Sequence, residues 1–179
     1  MNACRQPSML RWVLCLILAC ASIFPLQAAP SEYVVKTAFL YNFFKFIDWP
    51  PATSSQAHFV LCATGGADEF INALSAIDGR VSGGKRISVR TNVQGEALKD
   101  CQMVFVHEND PSKILHEIGG LPIVTVGEGD GFVNRGGMIG LVQVDNRLSF
   151  EINLEPVQAS GMRISAQMLK LAKSVRGAN

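Results

Sequence analysis

The hydrophobic and polar positions along the chain divide it into two regions. Residues 12–24 form an apolar run, which is shorter than the roughly 20 apolar residues that a membrane-spanning helix needs. Arg5 and Arg11 precede this run, and small residues follow it up to Ala29. An order of basic, apolar and small residues is typical of a cleavable secretory signal. We therefore predict a signal peptide over residues 1–29.

Two other interpretations of the N-terminal region stay open from the sequence alone. The apolar run could remain attached as a short membrane anchor. Ile17-Leu-Ala-Cys20 also resembles a lipid-attachment box, although Leu18 fits that motif poorly. With export by a cleaved signal, residues 30–179 are predicted to form one domain outside the cytoplasm, a length that suits a single hydrophobic core.

The first element of this domain is predicted to be an amphipathic helix over residues 31–47. Ser31 can cap its N terminus, and Asp48-Trp49-Pro50-Pro51 is expected to end it. Most of its aromatic surface is expected to be core, with an exposed aromatic patch as the alternative. The side chains predicted to face inward form one stripe: Val35, Ala38, Phe39, Asn42, Phe43 and Phe46.

Short apolar segments and short helical segments then alternate along the chain. This alternation is typical of a parallel sheet that helices cover on both faces. The predicted strands are residues 58–63, 86–90, 103–106 and 121–126, and the predicted helical segments are 68–77, 96–99 and 110–118.

The pattern changes in the C-terminal third. Residues 138–144 and 147–153 are predicted as strands joined by Asp145-Asn146, a loop that suits a hairpin with positive φ at both positions. A last helix is predicted from Ser165 to about Val175. We therefore predict an α/β fold, a Rossmann-like sandwich with a mostly parallel sheet, helices on both faces and a C-terminal antiparallel hairpin.

The charge balance argues against nucleic acid as a partner. The chain has 16 Lys and Arg and 15 Asp and Glu, and the predicted signal removes two of the basic residues. A near-neutral chain without a basic run lacks the clustered positive charge that nucleic-acid binding needs.

One glycine-rich segment resembles a phosphate-binding loop. In Gly79–Lys85 the glycines and the lysine have the spacing of that motif, but Arg86 stands where Ser or Thr should hold magnesium. The segment also follows a predicted helix and precedes a predicted strand, which is the reverse of the required context. We interpret it as a surface loop and predict no cofactor. The histidines and the cysteines also lack the spacing of a metal site.

The candidate binding residues lie near the carboxyl ends of the later strands. Gly129 and Phe132 follow a predicted strand, at the rim where open α/β sheets usually bind ligands. Glu151 and Asn153 share one face of their strand, and Arg147 lies on the same side. We predict contacts with a partner or a small ligand here, and a flexible loop with a solvated sheet edge is the alternative. Because no nucleophile–base pair is evident, we predict that the chain is not an enzyme.

Two cysteines remain after removal of the predicted signal. Cys62 and Cys101 would reside in an oxidising compartment, where an even number favours a disulfide. Two buried free thiols are the alternative. Simple register of the predicted strands would separate the two residues by roughly 13 Å, beyond the Cα distance of about 7 Å that a disulfide allows. A bridge therefore requires staggered strands.

Several motifs, in order along the chain, resemble those of the YfiR/HmsC family of periplasmic proteins. Together they extend over nearly all of the predicted domain. The pair Cys62 and Cys101 matches one cysteine pair of that family, whereas Gly136 and Gln143 occupy the positions of a second pair. The motifs are Val35–Pro50, Thr125-Val-Gly-Glu, Gly131-Phe132, Gly136-Gly-Met-Ile139, Phe150-Glu-Ile-Asn153 and Gly161-Met-Arg-Ile-Ser165.

The resemblance implies a function that composition does not reveal. It implies a periplasmic negative regulator that restrains an inner-membrane diguanylate cyclase through the periplasmic region of the enzyme, which lowers cyclic di-GMP and biofilm formation. The implied partners are that cyclase, an outer-membrane lipoprotein that sequesters the regulator, and a second copy of the chain in a homodimer. The alternative hypothesis is a periplasmic small-ligand binding protein, with its site near Gly129, Phe132 and Glu151.

Overall fold

The structure is a computed structural model and describes residues 30–129 and 131–177. The predicted signal peptide, residues 1–29, lies outside the described residues. Within the described part of the chain, no helix combines the length and the apolar character needed to cross a membrane.

Helix α1 (Glu32–Phe46) has the position predicted from the sequence. The Val34 N–H donates a hydrogen bond to Ser31 Oγ at 3.4 Å, so the predicted cap is confirmed. The helix ends at Ile47, where the backbone becomes extended.

The predicted inward face of α1 is wrong, because the helix is rotated relative to that stripe. Of the predicted residues only Phe43 is buried, and Val35, Ala38 and Asn42 are exposed or half-buried. Polar residues such as Lys36, Asn42 and Lys45 occur on different sides of the helix, so its periodicity does not select one face. The buried residues of the helix are Lys36, Thr37, Leu40, Phe43 and Phe44.

The remaining elements follow α1 in a mostly alternating order. The first group is β1 (Ile47–Asp48), α2 (Pro51–Ser54), β2 (His58–Ala63), α3 (Asp68–Ser75), β3 (Val81–Ser82), β4 (Lys85–Arg90), β5 (Met103–Val106), α4 (Ser112–Glu117) and β6 (Val124–Glu128). The second group is β7 (Ile139–Val144), β8 (Arg147–Asn153), α5 (Leu154–Ala159), β9 (Arg163–Ile164), α6 (Ala166–Leu171) and β10 (Ser174–Arg176). Two 3₁₀ helices span Gly95–Asp100 and Val133–Arg135.

Eight strands form the main sheet, in the order β10-β8-β7-β6-β5-β2-β4-β3. Strands β4, β2, β5, β6 and β7 pair in parallel with one another, as the alternating pattern predicts, and β3 pairs with β4 in antiparallel orientation. The β7–β8 hairpin is antiparallel, and its loop residues Asp145 and Asn146 have φ values of 48° and 61°. The predicted α/β fold with a mostly parallel sheet and a C-terminal antiparallel hairpin is therefore confirmed.

The last predicted helix is only partly correct. Helix α6 ends at Leu171, and two residues later the chain forms β10, which pairs in parallel with β8. The Lys173 N–H donates to Phe150 O at 2.8 Å, so pairing with β8 replaces further helical turns. Strand β10 consequently lies at the edge of the sheet, next to β8 of the hairpin.

The segment that resembles a phosphate-binding loop forms the β3–β4 hairpin instead. Gly83 and Gly84 make its turn with φ values of 58° and 80°, and a Cβ on Gly83 would lie 3.0 Å from Phe44 O. The glycines thus serve a tight turn that packs against α1, which confirms the interpretation as a loop.

Alternating strand residues supply two cores, one on each face of the sheet. On one face, Leu61 and Phe105 pack with side chains of α1 and α3. On the other face, Val60 and Val104 pack with the 3₁₀ helix Gly95–Asp100 and with α4. Helices therefore cover both faces, as predicted.

Cys62 and Cys101 form a disulfide with a Cα–Cα distance of 6.0 Å. Strands β2 and β5 are neighbours with a stagger that places Met103 opposite Leu61. Cys101 directly follows the 3₁₀ helix Gly95–Asp100, and its sulfur lies on the face of the sheet that carries Cys62. The predicted bridge is confirmed. Continued strand register would still place Cys101 roughly 10 Å along the strand from the position opposite Cys62, so the bridge depends on the turn of the chain between the 3₁₀ helix and β5 as well as on the stagger.

The disulfide closes a segment whose ends are 39 residues apart, so its removal is expected to destabilise the chain. The double variant Cys62→Ala/Cys101→Ala should lose about 3–4 kcal/mol of unfolding free energy, because its denatured state is no longer constrained. Urea unfolding measures this loss, with dithiothreitol-treated wild type as the control. Equal midpoints for the oxidised wild type and the variant would contradict the structural role.

Candidate functional site

The carboxyl ends of the parallel strands meet at one edge of the sheet, where open α/β sheets bind ligands. A cleft of about 320 Å³ opens at this edge between α1, the end of β6 and the β7–β8 hairpin. We call it the rim cleft. Its lining residues are Glu32, Lys36, Glu128, Gly129, Leu141, Val142, Gln143 and Leu148.

A buried lysine connects two carboxylates in the rim cleft. Lys36 Nζ lies 2.7 Å from Glu32 Oε1 and 2.9 Å from Glu128 Oε2. The Lys36 side chain is 7% exposed, whereas those of Glu32 and Glu128 are 52% and 34% exposed. An unpaired ammonium at this depth would be costly. The two carboxylates therefore allow burial of Lys36 and attach the first turn of α1 to the end of β6.

Ion pairing shifts the pKa values of Lys36 and Glu32. Burial lowers the pKa of Lys36, but the hydrogen bonds with Glu32 and Glu128 outweigh burial and raise it above the ordinary value of 10.5. The hydrogen bond and the charge of Lys36 lower the pKa of Glu32 below 4.5. At neutral pH Lys36 is therefore a cation and Glu32 is a carboxylate.

A second, wider depression of about 510 Å³ adjoins the rim cleft and shares Glu128 and Gly129 with it. His107 and Glu108, which follow β5, line its other side. The His107 N–H donates to Thr64 Oγ1 at 3.0 Å and so bridges the loops after β5 and β2. This edge carries more carboxylates than cations, which favours a cationic group over an anion.

The structure separates the predicted site residues into different environments. Gly129 lines the rim cleft. Arg147 is exposed at the start of β8, and Glu151 pairs with Lys173 at 3.4 Å. Phe132 and Asn153 are buried, with 2% and 7% exposure. These five residues do not form one exposed surface.

The Asn153 side chain forms hydrogen bonds with the backbone. Its Oδ1 accepts a hydrogen bond from the Glu155 N–H at 3.2 Å and caps α5, and its Nδ2 donates to Val133 O at 3.1 Å. Both ends of the amide are thus occupied by the chain itself, because a buried amide needs partners.

Phe132 explains why the loop after β6 is rich in glycine. Its ring lies between Gly127 and Gly137, and a Cβ at either glycine would overlap the ring. At these positions the absence of a side chain makes room for a core aromatic residue. The sequence analysis had instead placed Phe132 at a binding surface.

Glu32 and Lys36 were missed by the sequence reasoning, which placed Lys36 off the inward face of α1. A signal was present, since Glu32 and Lys36 have the i,i+4 spacing of a helical ion pair at the start of an otherwise apolar helix.

Gly136 and Gln143, at the positions of the family's second cysteine pair, have separate roles. Gly136 follows the 3₁₀ helix Val133–Arg135 with a φ of 95°, a conformation that residues with a side chain rarely adopt. Gln143 lines the rim cleft. Over residues 30–129 and 131–177, no cluster of three or more His, Cys, Asp or Glu side chains suits a metal ion.

Comparison with known proteins gives both a family and a fold. The profile of the YfiR/HmsC-like family matches residues 33–173. The crystal structure of a conserved domain protein from Vibrio cholerae is similar to this chain, with a TM-score of 0.54 and 11% sequence identity. The similarity covers 82% of this chain and 60% of the other chain, so this chain corresponds to under two thirds of that protein. At this identity the likeness concerns the fold alone.

Replacement of Lys36 tests the triad of Lys36, Glu32 and Glu128. Lys36→Met is expected to lose about 1–3 kcal/mol of stability at pH 7, between the values for surface and buried ion pairs, because two carboxylates lose their shared cation. Lys45→Met, an exposed lysine of the same helix, is the control and should lose less. Urea unfolding of the three proteins measures the difference.

The same comparison has a predicted pH dependence. The folded-state pKa of Glu32 is lowered, so its contribution is present above the ordinary value of 4.5 and is lost as pH falls through the lowered pKa. The stability gap between wild type and Lys36→Met should therefore close in acid. A gap that is unchanged at about pH 3, or absent at pH 7, would contradict the role of the triad.

The packing of Phe132 gives a sharper test of the glycine-rich loop. Gly137→Ala is expected to destabilise the chain by about 1–3 kcal/mol through overpacking, and Phe132→Leu in the same chain should recover part of that loss. Gly65→Ala is the control, because its Cβ would meet no atom closer than 3.9 Å. Calorimetric melting measures the stability loss of each variant. Additive losses from Gly137→Ala and Phe132→Leu would contradict the importance of the contact.

Proposed function

Because the chain belongs to the YfiR/HmsC-like family, we propose that it represses an inner-membrane diguanylate cyclase by binding the periplasmic region of that enzyme. The family is one of periplasmic regulatory proteins. The observation that carries the proposal is the family match over residues 33–173, which runs from α1 past the end of α6.

Repression by binding requires a preference for one state of the cyclase. A regulator shifts an equilibrium only by as much as its affinities for the two states differ. We therefore propose that the chain binds the inactive arrangement of the periplasmic region more tightly than the active one. Cyclic di-GMP would then fall inside the cell although the regulator never contacts the nucleotide.

The proposal includes export of the chain. Cleavage of the predicted signal peptide, residues 1–29, would release residues 30–179 into the periplasm. The disulfide between Cys62 and Cys101 supports an oxidising location, since such bonds persist mainly in exported proteins. An outer-membrane lipoprotein that sequesters the chain and a second copy of the chain are further proposed partners.

Binding of a small ligand is the second candidate function, and the rim cleft is the observation that favours it. Its carboxylates, Glu32 and Glu128, stand beside the apolar side chains of Leu141 and Leu148. This combination suits a primary amine attached to an apolar chain. In a thermal-shift series, alkylamines should raise the melting temperature more than matched alkyl carboxylates. Equal shifts for the two series, or none, would contradict this candidate.

Gene deletion tests the proposed repression directly. In cells that retain the partner cyclase, deletion is expected to raise cyclic di-GMP and biofilm, and the full chain supplied in trans should reverse both. Two controls belong to the experiment: a strain that also lacks the cyclase, and complementation with residues 30–179 without the signal. In the strain that lacks the cyclase, deletion should leave cyclic di-GMP unchanged. In the deletion strain, residues 30–179 without the signal should also leave cyclic di-GMP unchanged. Unchanged cyclic di-GMP on deletion in cells that contain the cyclase would refute repression.

A further inference from the structure

The edge of the main sheet that ends in the β3–β4 hairpin carries a cluster of cations. Strand β3 is the last strand in the sheet order, and β4 is its neighbour. Three of the cations belong to this hairpin, and the fourth lies in the last turn of α1. We call this surface the basic edge. Its cations are Lys45, Arg80, Lys85 and Arg86.

Two cations of the basic edge contact one aromatic ring. Lys45 Nζ lies 4.8 Å and the Arg80 guanidinium 4.7 Å from the centroid of the Tyr41 ring. Lys45 Nζ also donates to Asn42 Oδ1 at 3.1 Å. These contacts hold the two cations in place and leave their charges without compensation.

The other two cations of the basic edge bond to the backbone. The Lys85 ammonium donates to the carbonyl oxygens of Ser54 and Gln56, and Arg86 Nη1 donates to Gly79 O at 2.6 Å. Within the described part of the chain, none of the four cations has a carboxylate within 4.0 Å, although six other ion pairs meet that distance. Four positive charges are therefore held at one edge with no anion from the chain itself.

The basic edge departs from the charge balance of the domain. Its four cations are accompanied by one carboxylate nearby along the chain, that of Asp78, whereas residues 30–179 as a whole have one acidic residue more than basic ones. The carboxylates of the rim cleft lie at the other end of α1, because Glu32 and Lys45 are about 20 Å apart at the helical rise. An anionic surface would therefore attract the basic edge and repel the rim cleft.

An exposed apolar side chain lies among the cations. Val81 is 55% exposed and pairs directly with Arg86 across the hairpin. The turn beside it consists of the exposed Gly83 and Gly84, so no side chain at the turn obstructs approach to a flat surface. A soluble anion would leave Val81 in water, whereas a lipid surface provides both phosphate groups for the cations and an apolar layer for the valine.

We propose that the basic edge docks on an anionic phospholipid surface. The four cations contact the phosphate groups of the lipids, and Val81 enters the interface between them. The rim cleft then faces away from the membrane and stays open to its surroundings. This proposal depends neither on the cyclase nor on a ligand of the rim cleft.

Binding of the purified, disulfide-bonded chain to vesicles tests the proposal. Vesicles that contain phosphatidylglycerol should sediment the chain with them. Pure phosphatidylcholine vesicles should not, and about 1 M salt should release the chain because the Debye length falls to about 3 Å. Arg80→Glu/Arg86→Glu should weaken binding by about tenfold or more. The matched control, Lys113→Glu/Arg135→Glu, makes the same charge change at exposed positions elsewhere and should lose much less.

A variant that gains binding separates docking from a folding defect. Val81→Trp should bind phosphatidylglycerol vesicles more tightly than wild type, because indole favours the membrane interface. Its fluorescence should shift to shorter wavelength when the vesicles are added. Val34→Trp is the control, since Val34 is similarly exposed, at 51%, near the other end of α1. This control should show no vesicle-dependent shift. Melting temperatures of all variants verify that they are folded.

Three results would overturn the proposal. The first is a wild-type chain that does not bind phosphatidylglycerol vesicles, and the second is equal binding by the two double variants. The third is binding of wild type to polyglutamate but not to vesicles, which would assign the basic edge to an acidic protein. The proposed repression fails or holds by the deletion experiment alone, so the two failures are distinguishable.

Discussion

Leu40, Phe43 and Phe44 anchor α1 on the sheet, and this apolar contact orients the other side chains of the helix. The Phe44 ring lies 5.0 Å from that of Phe59 on β2, and the Phe43 ring lies 5.2 Å from that of Phe150 on β8. With these residues inward, the first turn of α1 points to the rim cleft, and Val34 and Ala38 turn toward α3. The rim cleft and the surface between α1 and α3 therefore both depend on how one helix packs.

The two surfaces differ in chemistry. The rim cleft is acidic, and its lysine is already paired, because Lys36 bonds to Glu32 and Glu128. The groove between α1 and the C-terminal end of α3 is lined mainly by small and apolar side chains. The disulfide braces β2 on the opposite face of the sheet.

The sequence allowed much of the architecture to be predicted, because alternating apolar strands and turn residues act locally. Asp145-Asn146 specified the hairpin, and Ser31 specified the start of α1. The inward face of α1 was not predictable, since polar residues on several sides of the helix leave it without a clear periodic preference. Strand β10 was missed because its pairing with β8 is a long-range interaction that local helix propensity does not report.

The candidate site was harder to predict than the fold. Phe132 was expected at a binding surface, but its role depends on two glycines that are distant from each other along the chain, Gly127 and Gly137. Lys36 pairs with Glu128, which is 92 residues away along the chain, and no local motif reveals that pair. The disulfide was predictable as a pairing, since two cysteines remained, whereas its geometry depended on the stagger of β2 and β5.

The central claim is repression of the cyclase through its periplasmic region. The most direct measurement reconstitutes the cyclase in membranes with the periplasmic side accessible and adds the purified, disulfide-bonded chain to that side. The account predicts that cyclic di-GMP synthesis falls with added chain and saturates as the binding sites fill. Undiminished synthesis at saturating concentrations of the folded chain would contradict the account.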